Sequence, residues 1–358
     1  MTEKSSLRIA FLSAYSGPVK RGIEGWVSEI ASRLAKQHSV VVYQLGEDPG
    51  GAYPVKTAPT LVDWDERDMT NTPEREHDID YWSGMLGRFT FDLLPDLLEF
   101  APDIVLPLNG SWEVPICRKY CDYSGAKMVL VGQNYYEKEL AYGPDLYIAT
   151  SDAQAERIRS LFEGPVEVIY NAVDTSRFTP EGERRSLDIS RPRILTVGAL
   201  VDQKHIRETV RAVGNLPEAS LVVCGDGDLR EEVRQLGEDL LGERFLLLSL
   251  DYDEMPALYR ACDLFTFAPD PSEAFGLVYL EALASGLGVV ALDDGLRRKI
   301  VGEAGLFVAD PHDEEAYAQV LAEALETDFG GRPRQQAEGF SWDKAARAYD
   351  ALFRSLIA

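Results

Sequence analysis

Short apolar runs alternate with longer amphipathic stretches along the whole 358-residue chain. The runs are rich in β-branched residues, and the stretches between them repeat their apolar positions at helical spacing. This alternation is typical of strand–helix–strand units, which build parallel sheets, and it predicts an α/β fold. The predicted strands of the first half are residues 8–12, 39–43, 103–107, 127–131, 146–149 and 166–170, and those of the second half are residues 193–197, 220–224, 244–248, 264–268, 289–292 and 305–308.

A polar stretch separates the two halves. Residues 171–192 carry Pro180, Gly182 and a Glu-Arg-Arg run, a composition typical of a connection between domains. Length also favours two domains. A serine at position 341 is a good N-cap for a last helix with apolar residues on one face. We therefore predict an N-terminal domain over residues 1–173, a C-terminal domain over residues 174–340, and a final helix over residues 341–358.

The charge of the chain excludes some classes of partner. Sixty acidic and 36 basic residues give a net charge of −24, which repels phosphate backbones and anionic lipid surfaces. We therefore expect no nucleic-acid partner, and the sequence offers no basic amphipathic helix for membrane association, although net charge alone does not exclude it. Without an apolar run of about 18 residues or a recognisable signal peptide, we expect a cytoplasmic protein. The acidic stretch 63–80 is predicted to be an exposed loop.

Metal-binding and hydrolase signatures are weak or missing. The four cysteines have no CxxC spacing, which favours reduced thiols, and no HExxH or GxSxG motif occurs. Several Asp-x-Asp pairs are present, for example Asp226 and Asp228, but such pairs arise by chance in an acidic chain. We therefore predict no obligatory metal.

The stretch 272–286 is the most informative for chemistry. It follows a predicted strand, and helix signals begin near Gly276, so backbone N–H groups of Phe275, Gly276 and Leu277 would point beyond the strand end, where parallel sheets bind anions. Glu273 and Glu281 would place two carboxylates beside those groups, suited to sugar or ribose hydroxyls. Spacing alone favours surface charge as their explanation, because the chain is so acidic.

The surrounding motifs resemble glycosyltransferase family 4, whose signature is a glutamate, seven residues and a second glutamate, with Phe-Gly after the first. Here it reads Glu273-Ala274-Phe275-Gly276 through to Glu281. Over residues 168–310 the resemblance also covers 168–174, Gly198 with Lys204, Gly225-Asp226-Gly227, 284–286 and 300–306. It implies the GT-B architecture, in which two Rossmann-like parallel-sheet domains face each other across a cleft and the last helix packs back on the N-terminal domain.

The resemblance also implies an activity. Members transfer a hexose, with retention of its anomeric configuration, from a nucleotide-diphosphate sugar to a saccharide, lipid or small-molecule acceptor. The donor would be a UDP- or GDP-sugar used as co-substrate, with no obligatory cofactor. The C-terminal domain would bind this donor and the N-terminal domain the acceptor.

Roles follow for the matching residues. Glu281 would bind the ribose hydroxyls, Glu273 would contact the transferred sugar, and Lys204 would neutralise the leaving diphosphate. Glu273 and Lys204 are therefore the predicted catalytic residues. The predicted donor-binding residues are Gly22, Gly198, Lys204, Gly225, Phe275, Gly276, Leu277 and Glu281.

Two departures from the family pattern keep alternatives open. Ala199 stands where the family usually has an arginine, and His205 where it usually has a glycine. One diphosphate clamp is therefore missing, so a catalytically silent sugar-nucleotide-binding protein remains an alternative, with a sugar-nucleotide epimerase as a weaker one. A nicotinamide-dependent oxidoreductase is disfavoured, because the loop after the first strand lacks GxGxxG.

The N-terminal half offers candidates at predicted strand ends. Gly22 lies in the loop where the family has Gly-Gly-x-Glu; beside it, Lys20 and Arg21 either face the diphosphate or form a solvent-facing basic turn. The predicted acceptor-binding residues follow two later strands and could bind hydroxyls or stack on a sugar ring, although the aromatic side chains are equally compatible with a core. These residues are Asn109, Trp112, Gln133 and Asn134.

Overall fold

The structure is a computed structural model that describes residues 6–16, 22–47, 50, 52–58, 81–133, 137–271, 273 and 275–358. The predicted loop 63–80 lies outside these residues, as do Lys20, Arg21 and Asn134. Contacts divide the chain into two compact units: unit 1 is Met1–Tyr170 with Trp342–Ala358, and unit 2 is Asn171–Ser341. The boundary predicted from the sequence falls three residues later, between residues 173 and 174.

Unit 1 contains a parallel sheet of seven strands, in the order β3-β2-β1-β4-β5-β6-β7. Its strands are β1 (Arg8–Leu12), β2 (Ser39–Gln44), β3 (Val55–Thr57), β4 (Ile104–Pro107), β5 (Lys127–Val131), β6 (Leu146–Ala149) and β7 (Val166–Val168). Its helices before the domain boundary are α1 (Gly22–Leu34), α2 (Tyr81–Phe100), α3 (Glu113–Ser124) and α4 (Asp152–Leu161).

Unit 2 contains a parallel sheet of six strands, in the order β10-β9-β8-β11-β12-β13. Its strands are β8 (Arg193–Val197), β9 (Ser220–Cys224), β10 (Phe245–Leu248), β11 (Leu264–Phe267), β12 (Gly288–Leu292) and β13 (Gly305–Val308). Its helices are α5 (Ile206–Gly214), α6 (Arg230–Leu241), α7 (Met255–Ala261), α8 (Leu277–Ala284), α9 (Gly295–Val301), α10 (Glu314–Glu326) and α11 (Arg332–Glu338).

The central strands form because both of their faces are covered. Ile9, Phe11 and Leu12 are completely buried although Leu12 faces the opposite side of the sheet from Ile9 and Phe11. Strands covered on both sides appear in the sequence as continuous apolar runs. By contrast, β3 is an edge strand of three half-buried or exposed residues, Val-Lys-Thr. It has no apolar run and was not predicted.

The segment 171–192, predicted as a connection, contributes to the interior of unit 2. Phe178 is completely buried, and its ring lies 5.8 Å from the ring of Tyr259. The guanidinium of Arg334 binds the carbonyl oxygens of Thr175 and Phe178, each at 2.7 Å. These contacts attach the segment firmly to unit 2.

The last helix, α12 (Trp342–Ile357), packs on α1 within unit 1. Its predicted apolar face is buried at Tyr349, whose ring lies 5.5 Å from that of Trp26. The Nε2 atom of His38 lies 2.8 Å from the carboxylate of Asp350.

The two Rossmann-like units confirm the predicted fold class. None of the helices formed by the described residues is long and apolar enough to cross a membrane.

Candidate active site

The carboxyl ends of three neighbouring strands bring together most residues predicted to bind the donor. Gly198 follows β8, Gly225 follows β9, and the loop that carries Glu273 follows β11. Because β8 lies between β9 and β11 in a parallel sheet, all three loops leave from the same edge.

Two of these loops are in direct backbone contact. A Cβ atom on Gly225 would lie 1.9 Å from the carbonyl oxygen of Gly198, and one on Gly227 would lie 2.6 Å from that of Leu200. The N–H of Leu200 donates to the carbonyl of Asp226 at 2.9 Å. The glycines of the Gly225-Asp226-Gly227 motif are therefore required by the close approach of the loops after β8 and β9.

The two residues predicted as catalytic lie together. Lys204 ends a short 3-10 helix after β8, and its ammonium donates a hydrogen bond to the Glu273 carboxylate. Their side chains are 26% and 16% exposed, and the Lys204 nitrogen lies 5.9 Å from the centre of the Phe267 ring. A ligand can therefore reach the pair, yet burial reduces the screening of its charges by water.

Glu281 lies inside α8 and has a different environment. It is only 8% exposed and accepts a hydrogen bond of 2.8 Å from the hydroxyl of the fully buried Tyr259. Burial raises the pKa of Glu281 to about 6, whereas the hydrogen bond from Tyr259 lowers it. The guanidinium of Arg177 lies over the ring of the neighbouring Tyr252, 4.2 Å from the ring centroid.

The start of α8 is set by Gly276, which has the left-handed φ of +80°. A Cβ there would lie 2.6 Å from the ring of Tyr279, whose hydroxyl donates to the carbonyl of Phe267 at 2.6 Å. The turn ties the helix to the end of β11. Leu277 is the first residue of α8 and Phe275 is buried, so the predicted N–H groups lie at a helix N-terminus, which favours anions.

In unit 1, a buried glutamate organises the loop after β4. Glu113 is completely buried and accepts hydrogen bonds from the backbone N–H groups of Leu108, at 3.0 Å, and Asn109, at 3.3 Å. Burial raises the pKa of Glu113 to about 8, although the hydrogen bonds from Asn109 and Leu108 lower it. The Asn109 amide nitrogen donates both to Glu113 and to the carbonyl of Leu12. Both amide protons of the Asn109 side chain are therefore donated within the protein, so its side-chain oxygen is the group suited to a ligand hydroxyl.

The other predicted residues of unit 1 occupy varied positions. Trp112, just before α3, is 45% exposed. Gln133 follows β5 and is half-buried, while Gly22 is the first residue of α1. Asn134 lies outside the described residues.

Family models cover nearly the whole chain. The model described as Glycosyltransferase Family 4 matches residues 20–177, and the model described as Glycosyl transferases group 1 matches residues 181–339. Alpha-maltose-1-phosphate synthase of Mycolicibacterium smegmatis is 25% identical, over 98% of this chain and 100% of its own length. The chain is a GT-B glycosyltransferase of the family 4 type.

Solved structures share the fold of this glycosyltransferase. Sucrose-phosphate synthase from Thermosynechococcus elongatus superposes with a TM-score of 0.77 at 20% identity, covering 98% of this chain and 99% of that one. Alr3699/HepE of Anabaena, solved in complex with UDP-glucose, gives a TM-score of 0.72 at 17% identity, covering 98% and 100%. At these low identities, the TM-scores show a shared fold.

His205, one departure of this glycosyltransferase from the family pattern, has specific contacts in the structure. His205, where the family usually has glycine, has a left-handed backbone with φ of +50°. Its Nδ1 atom lies 3.1 Å from the carbonyl oxygen of Ala268, and its ring lies 4.8 Å from that of His312. The imidazole thus makes contacts at a position where the backbone favours glycine.

Sequence reasoning missed three buried partners of the site: Tyr259, Glu113 and Arg297. Arg297 is only 2% exposed and donates to the backbone carbonyl of Glu273 at 2.9 Å. It lies in a Leu-Arg-Arg-Lys run that is typical of an exposed helix. The local signal that could have pointed to it is Asp294, three residues earlier, because aspartate often caps a helix and can bind a side chain in its first turn.

The described part of the glycosyltransferase contains no cluster of three His, Cys, Asp or Glu residues arranged to hold a metal ion. All four cysteines are buried and free. Burial raises the pKa of Cys121 to about 12 and that of Cys224 to about 11, so these thiols are inert at neutral pH.

Proposed function

We propose that this glycosyltransferase moves a hexose from a UDP- or GDP-sugar to a hydroxyl acceptor with retention of anomeric configuration. The observation that carries the proposal is the Lys204–Glu273 pair, at the same sheet edge as the start of α8. An ammonium beside a helix N-terminus is suited to a departing diphosphate, whose charge increases as the glycosidic bond breaks. The structural relative solved with UDP-glucose supports a nucleotide sugar as donor.

In the proposed reaction, the bond between the anomeric carbon and the diphosphate oxygen breaks while the acceptor oxygen attacks from the same face. The acceptor proton passes to the leaving phosphate oxygen. Lys204 stabilises the diphosphate, Glu273 binds hydroxyls of the transferred sugar, and Glu281 binds the ribose. The N–H groups at Phe275, Gly276 and Leu277 contact sugar and diphosphate, with Gly198 and Gly225 beside them.

Unit 1 would bind the acceptor, with Gly22 near the donor phosphates. Among its candidates, Asn109 would accept a hydrogen bond from an acceptor hydroxyl, because both of its amide protons are already donated. Trp112 has enough exposed surface to stack on a sugar ring. Gln133 would bind a further hydroxyl. We infer a cytoplasmic location, where nucleotide sugars are available.

Thermal stabilisation by a ligand panel tests the proposal, because a ligand that binds only the folded state raises the melting temperature. The panel contains UDP, GDP, ADP, their hexose conjugates, and NAD. We expect one nucleoside diphosphate and its sugar to stabilise the protein, with the effect lost in Glu281→Ala and Lys204→Ala. The exposed residues Glu303 and Lys299 provide control substitutions to alanine. Stabilisation by NAD alone, or by nothing, would refute the proposal.

Release of the free nucleoside diphosphate from the stabilising sugar conjugate then separates an enzyme from a silent binding protein. The silent alternative is supported by Ala199, which cannot contact a diphosphate through a charge. Binding without release or transfer of the sugar, under any acceptor tried, would favour that alternative.

A further inference from the structure

We propose that Arg297 is a positioning residue that holds Glu273 in place for the transferred sugar, an inference that rests on the function proposed above. Arg297 lies in the first turn of α9, and its side chain is almost completely buried. It touches the loop that carries Glu273 through the backbone of that residue, so it acts through Glu273 and not on the donor itself.

The guanidinium of Arg297 joins the cap of α9 to the loop that carries Glu273, and it also interacts with the hydroxyl of Tyr279 in α8. One terminal nitrogen donates to the Asp294 carboxylate at 3.0 Å, and the other donates to the Glu273 carbonyl at 2.9 Å. Asp294 also accepts a hydrogen bond of 2.8 Å from the backbone N–H of Arg297, which caps α9. The cap fixes the arginine, and the arginine in turn fixes the loop.

Glu273 is held at three points. Its N–H donates to the carbonyl of Asp270 at 2.9 Å, its carbonyl accepts from Arg297, and its carboxylate accepts from Lys204. A donor diphosphate would compete for the third contact, because it is also drawn to the Lys204 ammonium. The two backbone contacts do not involve the carboxylate and would persist. Arg297 would then keep Glu273 in place while its side chain turns to the sugar.

Burial of the charged Arg297 side chain costs free energy that its hydrogen bonds must offset. Its Nε atom is buried and has no hydrogen-bond partner among the described residues. Replacing a buried ion pair by apolar groups of similar volume is often neutral or stabilising, so stability alone is a weak reason for arginine here. The bond to the Glu273 carbonyl supplies a functional reason.

Arg298 provides a matched control on the same helix. It is exposed, lies 2.5 and 2.8 Å from the Asp293 carboxylate oxygens, and places its guanidinium 4.8 Å from the centre of the Phe307 ring. It shares the charge and the helix of Arg297, but among the described residues it makes no hydrogen bond with Glu273. Substitution of either arginine by methionine therefore removes a positive charge from α9, but only substitution of Arg297 removes the contact with the Glu273 loop.

The test compares a nucleoside diphosphate with its sugar conjugate. Calorimetric titration of UDP and UDP-glucose, with GDP and GDP-mannose as the second pair, measures how much the sugar adds to affinity. For Arg297→Met we expect the diphosphate Kd to stay within about twofold and the sugar-conjugate Kd to weaken about tenfold, or roughly 1.4 kcal/mol. Arg298→Met should leave both constants unchanged, and Arg297→Lys should restore part of the sugar's contribution.

The outcomes are distinguishable. If the unmodified protein binds neither pair, the proposed function fails, whatever the variants do. If it binds one pair, the positioning role is wrong in either of two cases. In the first, a folded Arg297→Met keeps the same ratio between the Kd of the diphosphate and that of its sugar conjugate. In the second, Arg298→Met changes that ratio as much as Arg297→Met does. If circular dichroism shows that Arg297→Met does not fold, Arg297→Lys is judged by the same ratio. If neither variant folds, Arg297 is a structural residue and the proposal falls.

Discussion

The ammonium of Lys204 is hydrogen-bonded to the carboxylate of Glu273, and this pair links the end of the loop after β8 to the loop after β11. In the proposed function the two residues bind different parts of one donor. Lys204 therefore has two anions available to it, the protein's own carboxylate and the donor's diphosphate. Because the loop after β8 carries Ala199 where the family usually has an arginine, the competition between these anions should have a measurable effect on affinity.

Glu273→Gln should strengthen the binding of a nucleoside diphosphate while it impairs sugar transfer. The substitution removes the charge that competes for Lys204, so we expect the Kd of UDP or GDP to fall by about threefold to tenfold, or roughly 0.7 to 1.4 kcal/mol. The transfer rate should fall by about a hundredfold, as when one positioned polar contact is lost from a transition state. Calorimetry and a product assay measure the two effects.

Lys204→Met gives the comparison for this competition. It should weaken binding of the diphosphate and of the sugar conjugate together, because their shared phosphates lose the ammonium. If Glu273→Gln weakens the diphosphate as Lys204→Met does, the carboxylate is not a competitor and the two residues act as a single binding unit.

Glu281 should make donor binding depend on pH. Burial raises its pKa to about 6, and a ribose hydroxyl donates best to the ionised carboxylate. Affinity for UDP-glucose should therefore increase by up to about tenfold between pH 5 and pH 7.5. Glu281→Gln should bind more weakly and remove this pH dependence. UDP-glucose is the better probe, because the terminal phosphate of UDP itself titrates in this range.

The same carboxyl group should have the opposite effect on stability. Its folded-state pKa, about 6, exceeds the ordinary value of 4.5. Between these values the folded state binds more protons than the unfolded state, so the free energy of unfolding decreases as pH rises, by about 2 kcal/mol in total. Denaturation of the ligand-free protein and of Glu281→Gln across this window measures the difference. Parallel pH profiles for the two proteins would contradict the assignment.

Sequence patterns predicted the fold well where strands are covered on both faces, as at β1. They failed at β3, because Val55, Lys56 and Thr57 form an edge strand without an apolar run. The site could be predicted only where motif residues carry it. The contacts of Tyr259 with Glu281 and of Arg297 with Glu273 join residues 22 and 24 positions apart, and only tertiary packing brings such partners together.

Gly225→Ala should destabilise the protein because the loops after β8 and β9 leave no room for a methyl group. The added carbon would lie 1.9 Å from the carbonyl oxygen of Gly198, and forcing the loops apart should cost about 1 to 3 kcal/mol. Nucleoside diphosphate binding should weaken as well. Gly295→Ala is the control, since nothing lies within 4 Å of its added carbon. Equal melting temperatures for the two variants would show that the loops tolerate separation.

At position 205, glycine should give a more stable protein than alanine, the opposite of the order expected inside a helix. Both substitutions remove the contacts of the imidazole with Ala268 and His312, but only alanine keeps a Cβ in the left-handed conformation at φ of +50°. We therefore expect His205→Gly to be more stable than His205→Ala by about 1 kcal/mol. At the exposed Glu323, within α10, the order should reverse, because alanine favours a helix over glycine by about 1 kcal/mol. Urea denaturation of the four variants measures both differences. The same order at both positions would mean that residue 205 leaves the left-handed conformation once the imidazole is gone, and that the ring contacts hold the backbone there.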